Sequence, residues 1–339
     1  MRRFEILARD QLAPAAYAYY AGGSGDEQTL RDNEAAFRRR GLHEGRTVDI
    51  ADVDTSTSML GTPVAAPLAF APVALQGLAH EDGEVIPARV AAHANVVYCL
   101  STFASRSMES VAAEGGTRWF QLYVLRDRRR TEDLVARAVA SGYQALVLTV
   151  DLPVVGRRER ELREPLYLKR ELGNVGSFER SDYRSGIDQA VDPSLSWSDL
   201  AWLRSLSGLP LVLKGILDPA DAAMAMEHGV DALVVSNHGG RQLDRVLASL
   251  DALPSIVEAV DGRVEVYLDS GIRSGAYIAT AVALGARAAF IGRPYVFALA
   301  AGGESAVVQC LDDVTRQLRE AMARSGARTV AGLTPDMVR

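Results

Sequence analysis

The sequence predicts an α/β protein that folds as one (β/α)8 barrel, the TIM barrel. Eight short apolar runs recur between residues 67 and 294, and helical patterns rich in Ala, Glu and Arg separate most of them. The runs are continuously apolar, which is typical of parallel strands covered on both faces. Eight successive βα units favour a closed barrel; a doubly wound open sheet is the alternative, because periodicity alone does not show closure. The eight predicted strands span 67–74, 95–101, 118–124, 144–151, 209–215, 231–239, 264–271 and 288–294.

Two segments outside this repeat complete a single predicted domain, 1–339. Residues 1–60 read as helices and connectors and form an N-terminal helical extension to the barrel, which we place at 65–325. A charged, irregular stretch separates the fourth strand from the fifth, and it includes GRRERELREPLYLKRELGNVGSFERSDYRSG. Long loops in compact domains are usually functional or disordered. We therefore expect residues 157–197 to form a lid over the barrel mouth.

Composition and charge exclude several classes of function. The 339 residues are 48% hydrophobic and 24% charged, as in a globular protein with a large core. The net charge of −6 disfavours non-specific binding to nucleic acid or to an anionic membrane. No apolar run approaches the roughly 20 residues of a membrane span. The N-terminal segment lacks the apolar core of a signal peptide, and the final residues TPDMVR carry no peroxisomal address, so we expect a cytoplasmic protein.

Cysteine and lysine are both scarce. The two cysteines, Cys99 and Cys310, predict buried thiols in a reducing compartment rather than a disulfide framework. Lysine occurs only at Lys169 and Lys214, although the chain has 37 lysines and arginines. Lys214 lies in the apolar run LPLVLKGIL, where an ammonium group is costly unless it pairs with an anion or a ligand. The alternative is a lysine at a strand end whose ammonium reaches solvent.

Polar side chains and glycines follow the predicted strands, whose middles are nearly free of polar groups. In a (β/α)8 barrel the carboxyl ends of the strands carry the chemistry, and core packing does not explain this distribution. We therefore expect one site at that end of the barrel. In strand order, the candidates are Pro72, Val73 and Ala74; Ser101; Gln121 and Tyr123; Thr149 and Asp151; Lys214; Ser236, Asn237, His238 and Arg241; Asp269, Ser270, Gly271 and Arg273; and Gly292 and Arg293.

The last two strands predict a phosphate site. The segments LDSGIRSG and FIGRP each place a glycine and an arginine just beyond a strand. Glycine lets backbone N–H groups approach an anion, and arginine offers a bidentate fork to phosphate. Because phosphate sites in such barrels commonly lie in these two loops, we predict a phosphate-bearing cofactor or substrate. Neither segment is a P-loop or a GxGxxG fingerprint, which disfavours ATP and NAD in their usual modes, and no cluster has the spacing of a metal site.

His238 is the candidate base, because it alone among the five histidines follows a strand and is flanked by glycine. Asp151, at the end of the fourth strand, could pair with it and stabilise the imidazolium. A helix N-cap is the alternative role of Asp151.

Recognition of a carboxylate is the predicted role of two arginines. Arg241 and Arg158 would bind the carboxylate, with Tyr123 and Tyr19 as hydroxyl partners. Spacing alone does not single out Arg158 among the arginines of GRRERELR.

These motifs together resemble the FMN-dependent 2-hydroxyacid oxidase/dehydrogenase family, which includes glycolate, lactate and mandelate oxidases. SNHGGRQLD matches the active-site signature of that family, and the other matches occur in order at compatible spacing over nearly the whole chain. They are YAYYAGGSGDEQTLRDN, APVALQGLAHEDGE, WFQLYVLRDR, LTVDLPVVGRRERE, LSWSDLAWLR, LVLKGIL, LDSGIRSG and FIGRP.

The resemblance implies a role for each matching residue. His238 matches the catalytic base of the family and Asp151 its carboxylate partner. Arg241 and Arg158 match the arginines that hold the substrate carboxylate, and Lys214 matches the lysine beside the N1/O2 edge of the flavin. The resemblance implies that Tyr19 and Tyr123 line the substrate site with Phe103, and that FMN contacts Pro72, Val73, Ala74, Ser101, Gln121, Thr149, Lys214, Ser236, Asp269, Ser270, Gly271, Ile272, Arg273, Gly292 and Arg293.

The implied reaction is oxidation of an L-2-hydroxy acid to the 2-oxo acid, with O2 reoxidising FMN and leaving as hydrogen peroxide. Many relatives are tetramers, which implies a homotetramer by analogy. Phe103 stands where glycolate-oxidising members tend to carry tryptophan, and Val73 where some carry threonine. Both residues make the pocket more apolar and favour mandelate-like or larger apolar substrates. The alternatives are a short-chain lactate or glycolate oxidase, a dehydrogenase with another acceptor, a different FMN barrel enzyme such as an isomerase, and a non-catalytic flavin-binding relative.

Overall fold

Eight parallel strands close into a barrel in this computed structural model, which describes residues 2–44, 50–168, 171–177 and 182–339. Neighbouring strands pair in sequence order, and the last strand pairs with the first. The closure confirms the predicted (β/α)8 barrel and excludes the open sheet. The strands are β1 (Thr57–Met59) and β2 (Thr62–Val64) of a separate hairpin and, in the barrel, β3 (Leu68–Phe70), β4 (Val97–Ser101), β5 (Arg118–Leu122), β6 (Ala145–Thr149), β7 (Leu211–Ile216), β8 (Ala232–Val235), β9 (Glu265–Leu268) and β10 (Ala288–Ile291).

Helices connect most of the barrel strands and begin where the sequence supplies caps. The carboxylates of Asp127 and Asp218 each accept a hydrogen bond from a backbone N–H of the helix that follows, at 3.1 and 2.8 Å. Such caps satisfy N–H groups that have no partner within the helix. In the described part of the chain the helices are α1 (Arg2–Gln11), α2 (Pro14–Ala21), α3 (Gln28–Arg39), α4 (Val85–His93), α5 (Met108–Ala112), α6 (Arg128–Ala140), α7 (Glu159–Arg163), α8 (Tyr183–Ala190), α9 (Asp199–Leu206), α10 (Pro219–Glu227), α11 (Ser249–Val260), α12 (Gly275–Ala283) and α13 (Arg293–Ser325), the last broken at Gly302 and Gly303.

The N-terminal extension is helical through α3 and then forms the hairpin β1–β2, which the sequence did not predict. Its three-residue strands are too short to show a period. Met59 packs inside the barrel against Trp119 and Phe290, and the backbone N–H of Leu60 donates to Glu265, where β9 begins. The hairpin therefore closes the amino-terminal end of the barrel. Residues 45–49 of the extension lie outside the described residues.

The side chains that face the barrel interior change from apolar to polar along the strands, in steps of two residues. Near the amino ends of the strands, these side chains are apolar and buried. The inward-facing position two residues further along each of six strands is polar and also buried. The successive apolar and polar residues are Cys99 and Ser101, Trp119 and Gln121, Val147 and Thr149, Val212 and Lys214, Val234 and Ser236, and Tyr267 and Asp269.

The predicted lid, residues 157–197, contains the short helices α7 and α8. Helix α8 is joined to the segment after β6 at Val155, whose N–H donates to Asp188 at 2.8 Å and whose carbonyl accepts from Arg184 at 3.2 Å. Residues 169–170, which include Lys169, and 178–181 lie outside the described residues. The boundaries of the extension, barrel and lid stay predictions.

The two cysteines are buried thiols, as predicted. Burial raises the pKa of both thiols, that of Cys310 to about 12. Neither is therefore a reactive thiolate at neutral pH. Within the described residues, no helix has the length and apolarity needed to cross a membrane.

Candidate active site

A cavity opens at the carboxyl ends of the barrel strands, with about 970 Å³ of space when the part open to solvent is included. Five predicted site residues, Gln121, Thr149, Asp151, Ser236 and Asn237, are not among the described residues that border it. The first four each bond to another predicted residue. The predicted residues that border the cavity are Tyr19, Pro72, Val73, Ala74, Ser101, Phe103, Tyr123, Arg158, Lys214, His238, Arg241, Asp269, Ser270, Gly271, Ile272, Arg273, Gly292 and Arg293.

The loop after β8 presents His238 to the cavity. The backbone of His238 is left-handed, with φ of 57°, a conformation that non-glycine residues rarely adopt and that functional sites often hold. The backbone N–H of His238 donates to Ser236 Oγ at 3.0 Å. The side-chain amides of Asn237 and Asn33 of α3 donate to each other at 2.8 and 2.7 Å. The N-terminal extension thus helps to hold this loop.

His238 and Asp151 lie together, with 2.8 Å between Nδ1 and Oδ1. Burial lowers the pKa of His238 below its ordinary value, although Asp151 opposes the shift. Burial acts to raise the pKa of Asp151, but His238 and Lys214 outweigh it and hold that pKa below its usual range. The pair at neutral pH is therefore a neutral imidazole beside a carboxylate. The N-cap alternative for Asp151 is not realised, because the next helix begins only at Glu159.

A glycine in β7 makes room for this carboxylate. The strand bulges between Lys214 and Ile216, and Gly215 has φ of 110° there. A Cβ at Gly215 would lie 2.7 Å from the Cβ of Asp151. The KG step of LVLKGIL therefore requires glycine both for its backbone and for the close approach.

Lys214 is paired with an anion, the first of its two sequence-based interpretations. Its Nζ lies 3.3 Å from Asp269 Oδ2 and donates to Ser236 Oγ at 3.0 Å. The side chain is buried, which excludes an ammonium that reaches solvent. Burial acts to lower the pKa of Lys214, but Asp269 and Asp151 outweigh burial and raise it. A charged ammonium therefore borders the cavity.

Beneath the cavity, a chain of buried polar groups continues from Ser101. Its hydroxyl donates to Gln121 Oε1 at 3.2 Å, and Gln121 Nε2 donates to Thr149 Oγ1 at 3.0 Å. With the ammonium of Lys214, this set offers both donors and acceptors in an apolar barrel. The donor set fits the polar edge of a flavin ring, which itself carries N–H, C=O and ring nitrogen groups.

The start of α13 has the chemistry of a phosphate site. Gly292 precedes the helix without a side-chain cap, and the N–H groups of Arg293 and Tyr295 in the first turn have no partner within the helix, whereas Pro294 has no N–H. Those groups and the helix dipole favour an anion. Arg273, on the neighbouring loop, borders the same cavity and pairs with Glu34 at 3.1 Å. Among the described residues, no cluster could hold a metal ion.

The guanidinium of Arg293 mainly holds the backbone. It donates to the carbonyl oxygens of Tyr20, Gly239 and Gly22 at 2.9, 3.0 and 2.8 Å. Burial, with Arg241 and Arg273 nearby, lowers the pKa of Arg293 well below its usual value. The side chain predicted to grip phosphate is thus also a tie between the extension and the barrel.

The two arginines predicted to bind a carboxylate border the cavity together. Arg241 lies over the ring of Tyr19 at 4.8 Å and donates to the carbonyls of Tyr19 and Gly22. Arg158 donates through Nε to the carbonyl of Arg241 at 3.0 Å. Burial singles out Arg158 within GRRERELR, since its side chain is 3% exposed and that of Arg157 is 73% exposed.

The carboxylate of Glu161, on α7, lies against both arginines. It accepts from Arg158 Nη1 and from Arg241 Nη2, each at 3.1 Å. Sequence reasoning missed this residue, because one glutamate in a run of alternating charges carries no signal.

Aromatic rings line one side of the cavity. Phe103 stacks on Tyr123 with 5.3 Å between ring centroids, and Tyr183 meets Tyr19 edge-on at 5.5 Å. Burial raises the pKa of Tyr19 and of Tyr123, so both phenols remain protonated.

The sequence analysis missed eight of the residues that border the cavity: Tyr20, Ala71, Leu152, Gly239, Phe290, Val296 and, on α8 of the lid, Tyr183 and Ile187. The two lid residues follow an irregular segment without strand periodicity, so nothing in the pattern placed them. Leu152 comes directly after the fourth predicted strand, and that position was its only signal.

The sequence profile of the FMN-dependent dehydrogenases matches residues 8–339. The chain belongs to this family. The match confirms the resemblance seen in the motifs and identifies FMN as the cofactor of this family member.

Individual relatives narrow the class. L-Lactate oxidase of Nostoc sp. is 47% identical over 339 residues, which cover 95% of this chain and 93% of that protein. Human 2-hydroxyacid oxidase 2 is 41% identical, with 99% and 96% covered. A solved structure of mandelate oxidase with (S)-4-hydroxymandelic acid has a TM-score of 0.95 at 39% identity and covers 100% of this chain and 97% of its own. The FMN-dependent 2-hydroxy acid oxidases are therefore the group to which this chain is related.

Proposed function

We propose that the protein is an (S)-2-hydroxy-acid oxidase that converts an L-2-hydroxy acid and O2 into the 2-oxo acid and hydrogen peroxide. The observation that carries this proposal is the shared cavity of His238, Arg158, Arg241 and Lys214. A base, two carboxylate-binding cations and a buried ammonium supply the three functions that this oxidation requires.

His238 is the proposed base. Its Nδ1 is held by Asp151, which leaves Nε2 for the substrate. His238 takes up the proton that the substrate releases, and Asp151 stabilises the imidazolium that results. Its lowered pKa keeps His238 unprotonated, and so ready to accept a proton, at neutral pH.

Arg158 and Arg241 bind the substrate carboxylate in this proposal, and the phenols of Tyr19 and Tyr123 donate to its oxygens. The fixed guanidiniums orient the α-carbon relative to His238, which is how positioning lowers a reaction barrier.

FMN, when bound, would supply the acceptor for the two electrons and the second hydrogen that leave the substrate. Lys214 would stabilise negative charge at the adjacent flavin edge, and the buried amide and hydroxyl groups would fix the ring. The residues proposed to hold FMN are Pro72, Val73, Ala74, Ser101, Gln121, Thr149, Lys214, Ser236, Asp269, Ser270, Gly271, Ile272, Arg273, Gly292 and Arg293.

The substrate we propose is mandelate-like or carries another large apolar group. The rings of Phe103, Tyr123 and Tyr183, with the aliphatic Leu152 and Ile187, offer an apolar surface to such a group. The similarity to mandelate oxidase supports this choice. A short-chain L-lactate oxidase is the second candidate, because L-lactate oxidase is the relative with 47% identity.

The surroundings of the reaction are also proposals. We propose O2 rather than another electron acceptor, because the related proteins are named as oxidases. A cytoplasmic location and a homotetrameric assembly, the latter by analogy with relatives, complete the proposal.

Anaerobic reduction tests the proposal directly. The purified protein is mixed with (S)-mandelate, L-lactate and glycolate in turn, and the visible absorbance of FMN is followed. We expect mandelate to bleach the flavin fastest and air to restore the colour with formation of hydrogen peroxide. A bound flavin that no hydroxy acid bleaches would refute the function, and bleaching that air does not reverse would favour a dehydrogenase.

A further inference from the structure

We propose that Glu161 is a positioning residue, the built-in counter-ion of the carboxylate clamp formed by Arg158 and Arg241. This inference rests on the proposed function. Glu161 holds both guanidiniums in place and limits the affinity of the clamp for anions, so that the substrate is oriented and the product is released.

The position of Glu161 separates it from the substrate. Both arginines border the cavity, whereas Glu161 is not among the described residues that do. Its side chain is 5% exposed and lies between the two guanidiniums. Glu161 therefore contacts both groups proposed to bind substrate without bordering the cavity itself.

The hydrogen bonds of the two arginines leave defined N–H groups for a ligand, because each Nη carries two N–H groups and Nε carries one. Arg158 uses Nε for the carbonyl of Arg241, Nη1 for Glu161, and Nη2 for Gln242 Oε1 at 3.1 Å. Arg241 uses Nη1 for two backbone carbonyls and Nη2 for Glu161. Its Nε–H bonds to no described residue and remains for a carboxylate. The bonds to Glu161 thus determine which edge of each guanidinium is presented to the cavity.

Charge gives the second part of the argument. Two buried guanidiniums repel each other. The pKa of Arg241 is lowered chiefly by burial and then by Arg158, whereas Glu161 raises it. With Glu161 the group has a net charge of one positive unit, which matches a single carboxylate. Without Glu161 two uncompensated cations would face the ligand in a medium of low dielectric, where anions are bound more strongly.

The helix that carries Glu161 is itself fixed. Arg160, the preceding residue, donates to Glu27 at 2.6 Å, which joins α7 to the segment before α3. The carboxylate is thus supported by the fold and does not depend on the ligand for its position.

The experiment compares three variants of the FMN-bound protein. E161Q removes the charge and keeps the shape, and E161D keeps the charge. E159Q is the matched control, because Glu159 lies on the same helix but pairs with the exposed Arg157. Binding of phenylacetate, which lacks the hydroxyl needed for oxidation, is measured by calorimetry, and turnover of (S)-mandelate is measured separately.

We expect E161Q to bind phenylacetate about tenfold more tightly and to turn over mandelate about tenfold more slowly, because the arginines lose their common acceptor. E159Q should match the unsubstituted protein in both measurements. E161D should bind phenylacetate within about twofold of the unsubstituted protein, with reduced turnover, and it carries the test if E161Q does not fold.

Equal weakening of binding and turnover in either Glu161 variant would overturn the inference, since that result indicates a general loss of structure. Unchanged binding in E161Q would overturn it as well. Because calorimetry needs no turnover, tighter phenylacetate binding in a protein that oxidises no hydroxy acid would refute the proposed function and leave the inference on Glu161 standing.

Discussion

The two ends of the barrel are built from the same strands but in opposite chemistry. At the amino-terminal end, Met59 of the hairpin and Trp119 of β5 belong to a buried apolar cluster. At the carboxyl end, two residues beyond Trp119, Gln121 joins a buried hydrogen-bonded chain. One strand therefore contributes to stability near its amino end and to function near its carboxyl end. Because side chains alternate between the two faces of a strand, the inward-facing residues that do so lie two positions apart.

The carboxyl end of the barrel (the upper end, as opposed to the lower, amino-terminal end) contains buried charges that an apolar core does not require. Lys214, Asp269 and Asp151 are all largely withdrawn from solvent. Buried ion pairs contribute little net stability compared with apolar residues of the same size. We therefore expect substitutions at the upper end to remove activity, with or without a loss of stability, and those at the lower end to remove stability alone.

The largest effect is expected at His238. H238Q removes the base and should lower mandelate turnover by about 10²–10⁴-fold, with little change in the thermal unfolding midpoint. Steady-state kinetics and thermal denaturation of the FMN-bound variant measure the two quantities. Turnover within tenfold of the unsubstituted protein would show that another group accepts the proton.

Asp151 is expected to reveal its role in the pH profile as well as in the rate. Burial lowers the pKa of His238 and Asp151 opposes that shift, so D151N should lower the pKa further. Since activity requires neutral His238 and is lost as the pH falls through its pKa, the acid limb of kcat/KM should move to lower pH. Turnover should fall about 10²-fold, because the imidazolium loses its partner. A limb that moves to higher pH would contradict the assignment.

Lys214 tests whether the upper end depends on its buried charge. K214M should reduce turnover by about 10²-fold and destabilise the fold by about 3–5 kcal/mol, because Asp269 loses its partner. The double variant K214M/D269N is the control: stability should recover and turnover should not. Recovery of both would assign Lys214 a purely structural role.

A substitution of Trp119 tests the opposite, amino-terminal end of the barrel. The side chain of Trp119 is fully buried, and W119A should lower the free energy of unfolding by about 3–5 kcal/mol. Turnover per bound FMN should stay within about twofold at temperatures where the variant is folded. A tenfold loss of turnover in the folded variant would show that the two ends are not independent.

The smallest effect is expected at Phe103, where a substitution tests which substrate the cavity prefers. F103W adds a larger ring to the aromatic side of the cavity and should lower kcat/KM for (S)-mandelate about tenfold relative to L-lactate. Competition between the two substrates measures the ratio. A ratio that does not change would place the substrate side chain elsewhere in the cavity.

The sequence predicts the barrel well because eight buried strands repeat one pattern, and each repeat supports the others. It predicts the strand-end residues for the same reason, since parallel strands bring their carboxyl ends to one place. The hairpin around Met59 is not predicted, because two three-residue strands are too short to show a period. Glu161 and Tyr183 are not predicted, because their neighbours are irregular and because Arg241 and Tyr19, which they respectively contact, are distant in sequence. Spacing left the choice of Arg158 open, and the structure shows its burial among Glu161, Gln242 and the backbone of Arg241.

The carbonyls held by Arg293 have a consequence for the order in which the chain folds. Two of them, on Tyr20 and Gly22, lie 273 and 271 residues away in sequence. Contacts between such distant positions form late, because a large loop must close first. During synthesis the first helices therefore leave the ribosome long before their partner arginine exists. The carbonyls of Tyr20 and Gly22 gain this partner only when the last barrel strand has been made, so a nascent chain lacking its final quarter lacks this tie between the extension and the barrel.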